Sequence, residues 1–181
     1  MFFYDTTTST YTLRQLSWPD AGYNYLNDAG QAISNSTGTV YTVSSNFSLP
    51  TCPDGYPAYA RRINQLGAIV VESRNGSTPQ HTYIWRPNGQ NGTSGWYYST
   101  VGLGYGFAIK SSNVWGDQVG LAYDSGGTGY GYLNRNGQSV TLNSLRPSGF
   151  TTHIANASGI NDHGVIWMDS QNIPYMMRPV P

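Results

Sequence analysis

The 181-residue chain has almost none of the residues that cover helix surfaces: Lys110 is its only lysine, Glu72 is its only glutamate, and charged residues make up 10% of the whole. Lys and Glu are strong helix formers that normally fill exposed helical positions, so their scarcity argues against a helical fold. The charges that are present balance, nine basic against nine acidic. A neutral chain lacks the clustered Arg and Lys on which nucleic-acid binding rests, so no nucleic-acid partner is expected. Arg61 and Arg62 are the only adjacent basic pair, and they read as a solvated strand end. No apolar run approaches the roughly 18 residues a membrane helix needs, so no membrane insertion is expected.

Cysteine is equally scarce. Cys52 stands alone, which excludes an intrachain disulfide and any cysteine-based metal motif. It reads as a small semi-buried thiol. The N-terminus has no apolar stretch of the secretory kind, because Met1-Phe2-Phe3-Tyr4-Asp5 turns polar at once. An exported form would then have lost its signal or belong to a longer polypeptide. No Gly-rich loop precedes a helix and no Gly-x-Ser-x-Gly elbow occurs, so phosphate-cradling and hydrolase motifs are missing.

Gly, Ser, Thr, Asn and 15 tyrosines fill the space instead. Tyr, Thr and Val favour strands, and the length suits one domain. An Asn-x-x-Gly tetrad recurs in one context along the chain: Asn27-Asp28-Ala29-Gly30, Asn64-Gln65-Leu66-Gly67, Asn113-Val114-Trp115-Gly116 and Asn161-Asp162-His163-Gly164. The copies lie 37, 49 and 48 residues apart, the spacing of propeller blades. Each is followed by an apolar run: Ala32-Ile33, Ile69-Val70-Val71, Val119-Gly120-Leu121 and Val165-Ile166-Trp167. Asn and Gly tolerate the backbone angles of tight hairpins, and Asn bonds its own backbone, so each tetrad reads as a strand-turn-strand.

An aromatic strand follows in three units, at Thr82-Tyr83-Ile84-Trp85, Tyr130-Gly131-Tyr132-Leu133 and Tyr175-Met176-Met177. Turns at Pro87-Asn88-Gly89 and Arg135-Asn136-Gly137 lead to fourth strands at Trp96-Tyr97-Tyr98 and Ser139-Val140-Thr141-Leu142. One unit is therefore a four-stranded antiparallel meander, and meanders packed face to face in a ring protect their edges. The expected fold is all-β: a propeller-like ring of about four blades, or five if the terminal segments make a composite one. As a single domain it divides into a terminal half-blade at 1–22, repeats at 23–56, 57–104 and 105–149, and a partial repeat at 150–181. Phe2–Asp5 reads as a third strand, and Tyr11–Leu16 as a fourth that echoes Val140–Leu145. The C-terminal unit stops after its third strand. The N-terminal strands either close the ring or are exchanged with another molecule, which makes a homo-oligomer a candidate partner.

The tetrads and aromatic strands resemble the extracellular repeats of the HAF family, whose pattern runs roughly Ile-Asn-Asp-x-Gly-x-Val-Val-Gly and then His-Ala-Phe-Leu-Trp. Ile160-Asn161-Asp162-His163-Gly164-Val165-Ile166 and Ile63-Asn64-Gln65-Leu66-Gly67-Ala68-Ile69 match the first part, and His81-Thr82-Tyr83-Ile84-Trp85 resembles the second. The third unit lacks the Ile before Asn113, and the first has Leu26 there. The resemblance implies an extracellular or cell-surface, propeller-like repeat protein. It implies no catalytic residue.

Chemistry is sparse. Asp28, Asp162 and Asp117 sit in or beside tetrads and read as turn caps rather than as a glycosidase pair. Glu72, at the end of a second strand, reads as a solvated or paired rim position. His81, His153 and His163 lie in different strand contexts and do not imply a converging metal site. No cofactor and no catalytic residue is expected. Trp85 and Trp167 fall where they would face a neighbouring blade and read as core. Trp115 lies inside a turn, and Trp96 and Tyr97 follow a Gly/Asn loop. Aromatic faces beside Asn, Asp and Gln suit sugar stacking as well as subunit contacts. Trp96, Tyr97, Trp115 and Asp117 are the candidate ligand-binding residues, with a glycan as the candidate ligand. Sequons at Asn35, Asn46, Asn75, Asn91 and Asn156 are candidate glycosylation sites. The expectation is a non-catalytic module that binds carbohydrate or another extracellular surface. A self-assembling structural subunit is the alternative, and a glycoside hydrolase the least supported one.

Overall fold

The structure is a computed structural model. It describes residues 2–5, 10–13, 25–34, 37–42, 45–86, 96–98, 106–170 and 173–179, with 2–5, 10–13, 96–98, 106 and 107 described by backbone alone. Strands β1 (Phe2–Asp5) and β2 (Thr10–Leu13) pair as a two-stranded sheet. Strands β3 (Tyr25–Leu26), β4 (Ala32–Ile33), β5 (Thr39–Tyr41) and β6 (Asn46–Ser48) make the first meander. The second holds β7 (Ala58–Ile63), β8 (Ile69–Asn75), β9 (Thr78–Trp85) and β10 (Trp96–Tyr98). The third holds β11 (Gly106–Ser112), β12 (Gln118–Tyr123), β13 (Gly129–Arg135) and β14 (Gln138–Thr141). The fourth has three strands, β15 (Asn156–Ile160), β16 (Ile166–Ser170) and β17 (Ile173–Met177). A single 3-10 turn, Leu142–Leu145, completes the described elements.

The chain is thus all-β and antiparallel throughout, as its composition predicts. Strand pairing stays within each sheet among the described residues, so the sheets do not close into a barrel. They touch in chain order: β3 and β4 meet β7; β7, β8 and β9 meet β11; β11, β12 and β13 meet β15. Apolar side chains fill each junction, chiefly from one meander's second strand and from the next meander's first strand or the residues just before it. Ile33 and Val40 pack with Ala58 and Ala60, Val70 packs with Ile109, and Val119 and Leu142 pack with Ile154 and Ala157. Burying each Ile or Val fully stabilises the fold by about 1.5–3 kcal/mol. Gly131 permits the closest approach at the last junction: a Cβ there would lie 3.1 Å from the Asn156 carbonyl carbon and the Ile154 Cγ2.

The four tetrads occupy the same setting. Each Asn N–H donates to the carbonyl of the fourth residue on, at 2.9–3.1 Å, and each Gly N–H donates back to the Asn carbonyl. Each Gly has positive φ, 71° at Gly30, 77° at Gly67, 84° at Gly116 and 72° at Gly164, a conformation costly for any residue with a Cβ. The Asn Oδ1 accepts from the turn's own N–H groups: Gln31 at Asn27, Leu66 and Ala68 at Asn64, Trp115 and Asp117 at Asn113, and His163 and Val165 at Asn161. The Asn Nδ2 then reaches across to the next sheet. Asn27 donates to the Asn64 carbonyl at 3.0 Å, Asn64 to Asn113 at 3.0 Å, and Asn113 to Asn161 at 3.4 Å. The tetrads therefore form a ladder along one rim of the stacked sheets, one side-chain rung per junction. Asn161 has no such acceptor among the described residues.

The sixth residue after each tetrad Asn shows where the series ends. Ile33, Val70 and Val119 are buried at this position, whereas Trp167 is 45% exposed. The expectation that Trp167 is core is corrected. The first three positions are covered by the following meander's first strand, and no described strand covers the outward face of β16. Trp85 does pack against the core, and Phe47 lies over its ring with centroids 5.7 Å apart. Cys52 is buried, and burial, with Asp54 nearby, pushes its thiol up to about 12, so it stays protonated and inert.

Candidate ligand site at the Trp115 turn

Trp115 is the third residue of the third tetrad, on a turn closed by Asn113 N–H to Asp117 O at 3.1 Å and Gly116 N–H to Asn113 O at 3.2 Å. The turn is clamped from both sides. Asn113 is buried, and its Nδ2 donates to Asp117 Oδ2 at 3.0 Å. Arg135 at the end of β13 grips the same carboxylate with both prongs, Nε to Oδ1 at 3.0 Å and Nη2 to Oδ2 at 2.7 Å. Burial alone would raise the Asp117 carboxyl, but the Arg135 and Asn113 hydrogen bonds and the guanidinium charge outweigh it and hold it below the ordinary carboxylate range.

The neighbouring tetrad fixes the other side. Val114 N–H donates to Asp162 Oδ1 at 2.9 Å, and the Trp115 indole Nε1–H donates to the Asp162 carbonyl at 2.9 Å. The indole is nevertheless 75% exposed. It is a large apolar face presented to solvent with its orientation held by a hydrogen bond. Beside it lies a cavity of about 220 Å³ whose wall includes Asn64, Arg86, Ser112, Gln118 and Trp115. Gln118 is buried, and its Oε1 has no hydrogen-bond partner. An unsatisfied buried acceptor costs about 1–3 kcal/mol.

The four candidate binding residues therefore part company. Trp115 is exposed at a cavity. Asp117 is buried with both oxygens engaged, and its role is to hold the turn beneath Trp115. Trp96 and Tyr97 lie on β10, opposite Trp85 and Ile84 of β9, and their side chains fall outside the described part. Gln118 and Arg135 were not anticipated. Gln118 stands outside the apolar run that begins at Val119, and Arg135 reaches Asp117 across 18 residues of chain, a contact with no local signal.

The remaining candidates have identifiable partners. Asp54 Oδ2 accepts from Ser73 Oγ at 2.6 Å and meets His81 Nδ1 at 2.9 Å. This is not a nucleophile relay, because the Ser73 hydroxyl is directed at the carboxylate rather than at the imidazole. The three groups tie the turn before β7 to strands β8 and β9. His153 Nε2 lies 2.8 Å from the Gly129 carbonyl. Glu72 is paired, with Arg61 and Arg74. No group of three His, Cys, Asp or Glu among the described residues could hold a metal ion. Of the sequons, Asn46 and Asn75 are exposed, Asn156 donates its amide to Asp169 Oδ2 at 2.9 Å, and Asn35 and Asn91 lie outside the described residues. No described helix is long and apolar enough to cross a membrane.

The chain matches no protein-family model, no curated protein and no solved structure.

Proposed function

We propose that this chain is a non-catalytic binding module that takes a polar, sugar-like ligand on the face of Trp115. One observation carries it: a three-quarters exposed indole that is held rigid by its Nε1–H to the Asp162 carbonyl. An exposed aromatic normally loses side-chain freedom on binding. Here that loss is already met in the free protein, so stacking a sugar ring costs less. Asn64, Arg86, Ser112 and Gln118 in the wall of the adjacent cavity supply polar groups of the kind that fix ligand orientation. The ring-like propeller arrangement and the HAF-type repeat belong to this proposal. They are supported by the four equivalent tetrads and by Arg62, which stands over the Tyr25 ring at 4.2 Å and also donates to the Ser158 carbonyl at 3.4 Å, touching the first and last meanders from the second. An extracellular location is supported by the low charge and the exposed sequons at Asn46 and Asn75. A glycan array read with the native chain and with Trp115→Ala tests the site: hits should be lost in the variant, and retention of every hit would refute it.

A second reading, head-to-tail self-assembly, is favoured by the exposed Trp167 and the free Asn161 rung. Ile173 and Met176 on β17 are also half exposed, and β17 pairs only with β16 among the described residues. The uncovered face of the fourth meander has the same position that the other three bury against a following first strand. The candidate occupant is the first meander of a second copy, which would stand where a following meander stands at the other three junctions. Such a heterologous contact produces chains or rings, and sedimentation across a concentration range tests for them.

A further inference from the structure

We infer that the chain carries a second ligand site, a cationic cleft that takes a small molecule bearing an oxyanion such as sulfate, phosphate or carboxylate. The cleft has a volume of about 490 Å³, within the ordinary range for small-molecule pockets. Its wall holds Arg61, Arg62, Arg74 and Lys110 against one carboxylate, Glu72. Four of the nine basic residues of a neutral chain thus converge on one concave surface. A cleft lined by one sign of charge focuses the field and raises the local concentration of counter-ions.

The way these residues reach the cleft is repeated from unit to unit. The pairing of β7 with β8 skips Arg61, that of β11 with β12 skips Lys110, and that of β15 with β16 skips Ser158. Each is the third residue before a tetrad Asn, and all three line the cleft. A bulge turns a side chain out of the pleat's alternation and is a common device for aiming one at a site. Equivalent bulges in three consecutive meanders therefore deliver Arg61, Lys110 and Ser158 to one place.

The charges are unevenly engaged. Arg61 and Arg74 share Glu72, whose carboxyl burial would raise but whose hydrogen bonds and charge pairing with the two guanidiniums hold below the ordinary range. Arg62 stands over Tyr25 and donates to the Ser158 carbonyl. Lys110 is exposed and has no partner among the described residues. Asn156, also in the wall, has a buried Oδ1 without a partner, while its Nδ2 is held by Asp169 behind it. One carboxylate leaves most of the cationic charge unneutralised. A free ammonium and a fixed guanidinium pair complement an oxyanion. The cleft shares no wall residue with the cavity at Trp115 and does not depend on ligand binding there.

Calorimetric titration at low salt tests the site with inorganic phosphate, a sulfated disaccharide, a uronic-acid disaccharide and a neutral disaccharide as probes. At least one anionic probe is expected to bind, more weakly as salt rises, with the neutral one failing at this site. Phosphate alone binding would identify a simple oxyanion site, and a sugar-borne anion binding better would identify the carrier. Lys110→Gln should weaken the anionic probe about tenfold and leave the melting curve and any Trp115-dependent binding unchanged. Absence of binding by all three anionic probes, or equal affinity in Lys110→Gln, would overturn the inference.

Discussion

The side-chain amide of Asn64 donates to the main-chain carbonyl of Asn113 at 3.0 Å, joining turns 49 residues apart in the chain. It is the middle rung of the ladder that ties one meander to the next, and the same Asn caps its own turn through Oδ1. Asn64→Asp keeps the acceptor and removes the donor, so it isolates the rung. The variant should lose about 1–2 kcal/mol, the range for a hydrogen bond with an orphaned partner. Urea unfolding should show a lower midpoint with an unchanged slope, and an unaltered midpoint would mean that the rung does not contribute.

Asp117, Glu72 and Asp54 all have carboxyl groups held below their ordinary values by hydrogen bonds that outweigh burial. A lowered folded value means that the stability they contribute is complete above the unfolded value of about 4 and is lost as pH falls through the folded one. The native chain should therefore lose stability steeply below about pH 4. Asp117→Asn removes one of the three steps. It should be less stable than the native chain at pH 7, because Arg135 loses its charged partner, and its acid limb should be shallower when unfolding is followed from pH 7 to pH 2.

Much of this fold was legible because its signals are local. An Asn whose side chain caps a turn and a Gly at positive φ four residues into it are demanded by hairpin geometry, so Asn27, Asn64, Asn113 and Asn161 announce their turns without tertiary information. Trp167 was not legible. It occupies the position that buries Ile33, Val70 and Val119, and its exposure depends on whether another meander follows, which hydrophobicity cannot reveal. The candidate sites divide the same way. An aromatic inside a polar turn marked Trp115, whereas the engagement of Asp117 by Arg135 depends on sheet geometry. Arg61 and Arg62 read as a solvated strand end. They sit at the end of β7, but a one-residue register shift brings Arg61 into line with Lys110 and Ser158, and that shift is a property of strand pairing rather than of composition.

The uncovered face of the fourth meander predicts concentration-dependent association. If it docks on a second copy's first meander, the native chain should sediment as larger species as concentration rises, and Trp167→Ser should shift it to monomer without lowering its melting temperature. A native chain that stays monomeric at all concentrations would remove the self-assembly reading and leave ring closure within one chain as the way to cover Trp167.

If Trp115 is a ligand platform, the indole N–H spectrum will report binding at it. Each of the five tryptophans has one Nε1–H, and Trp115→Phe identifies the resonance of the one that donates to Asp162. Titration with a carbohydrate found on the array should move the Trp115 indole signal and the Gln118 backbone amide, with an affinity matched by calorimetry. A saturating ligand that leaves both signals in place while shifting others would show that Trp115 is not the binding face.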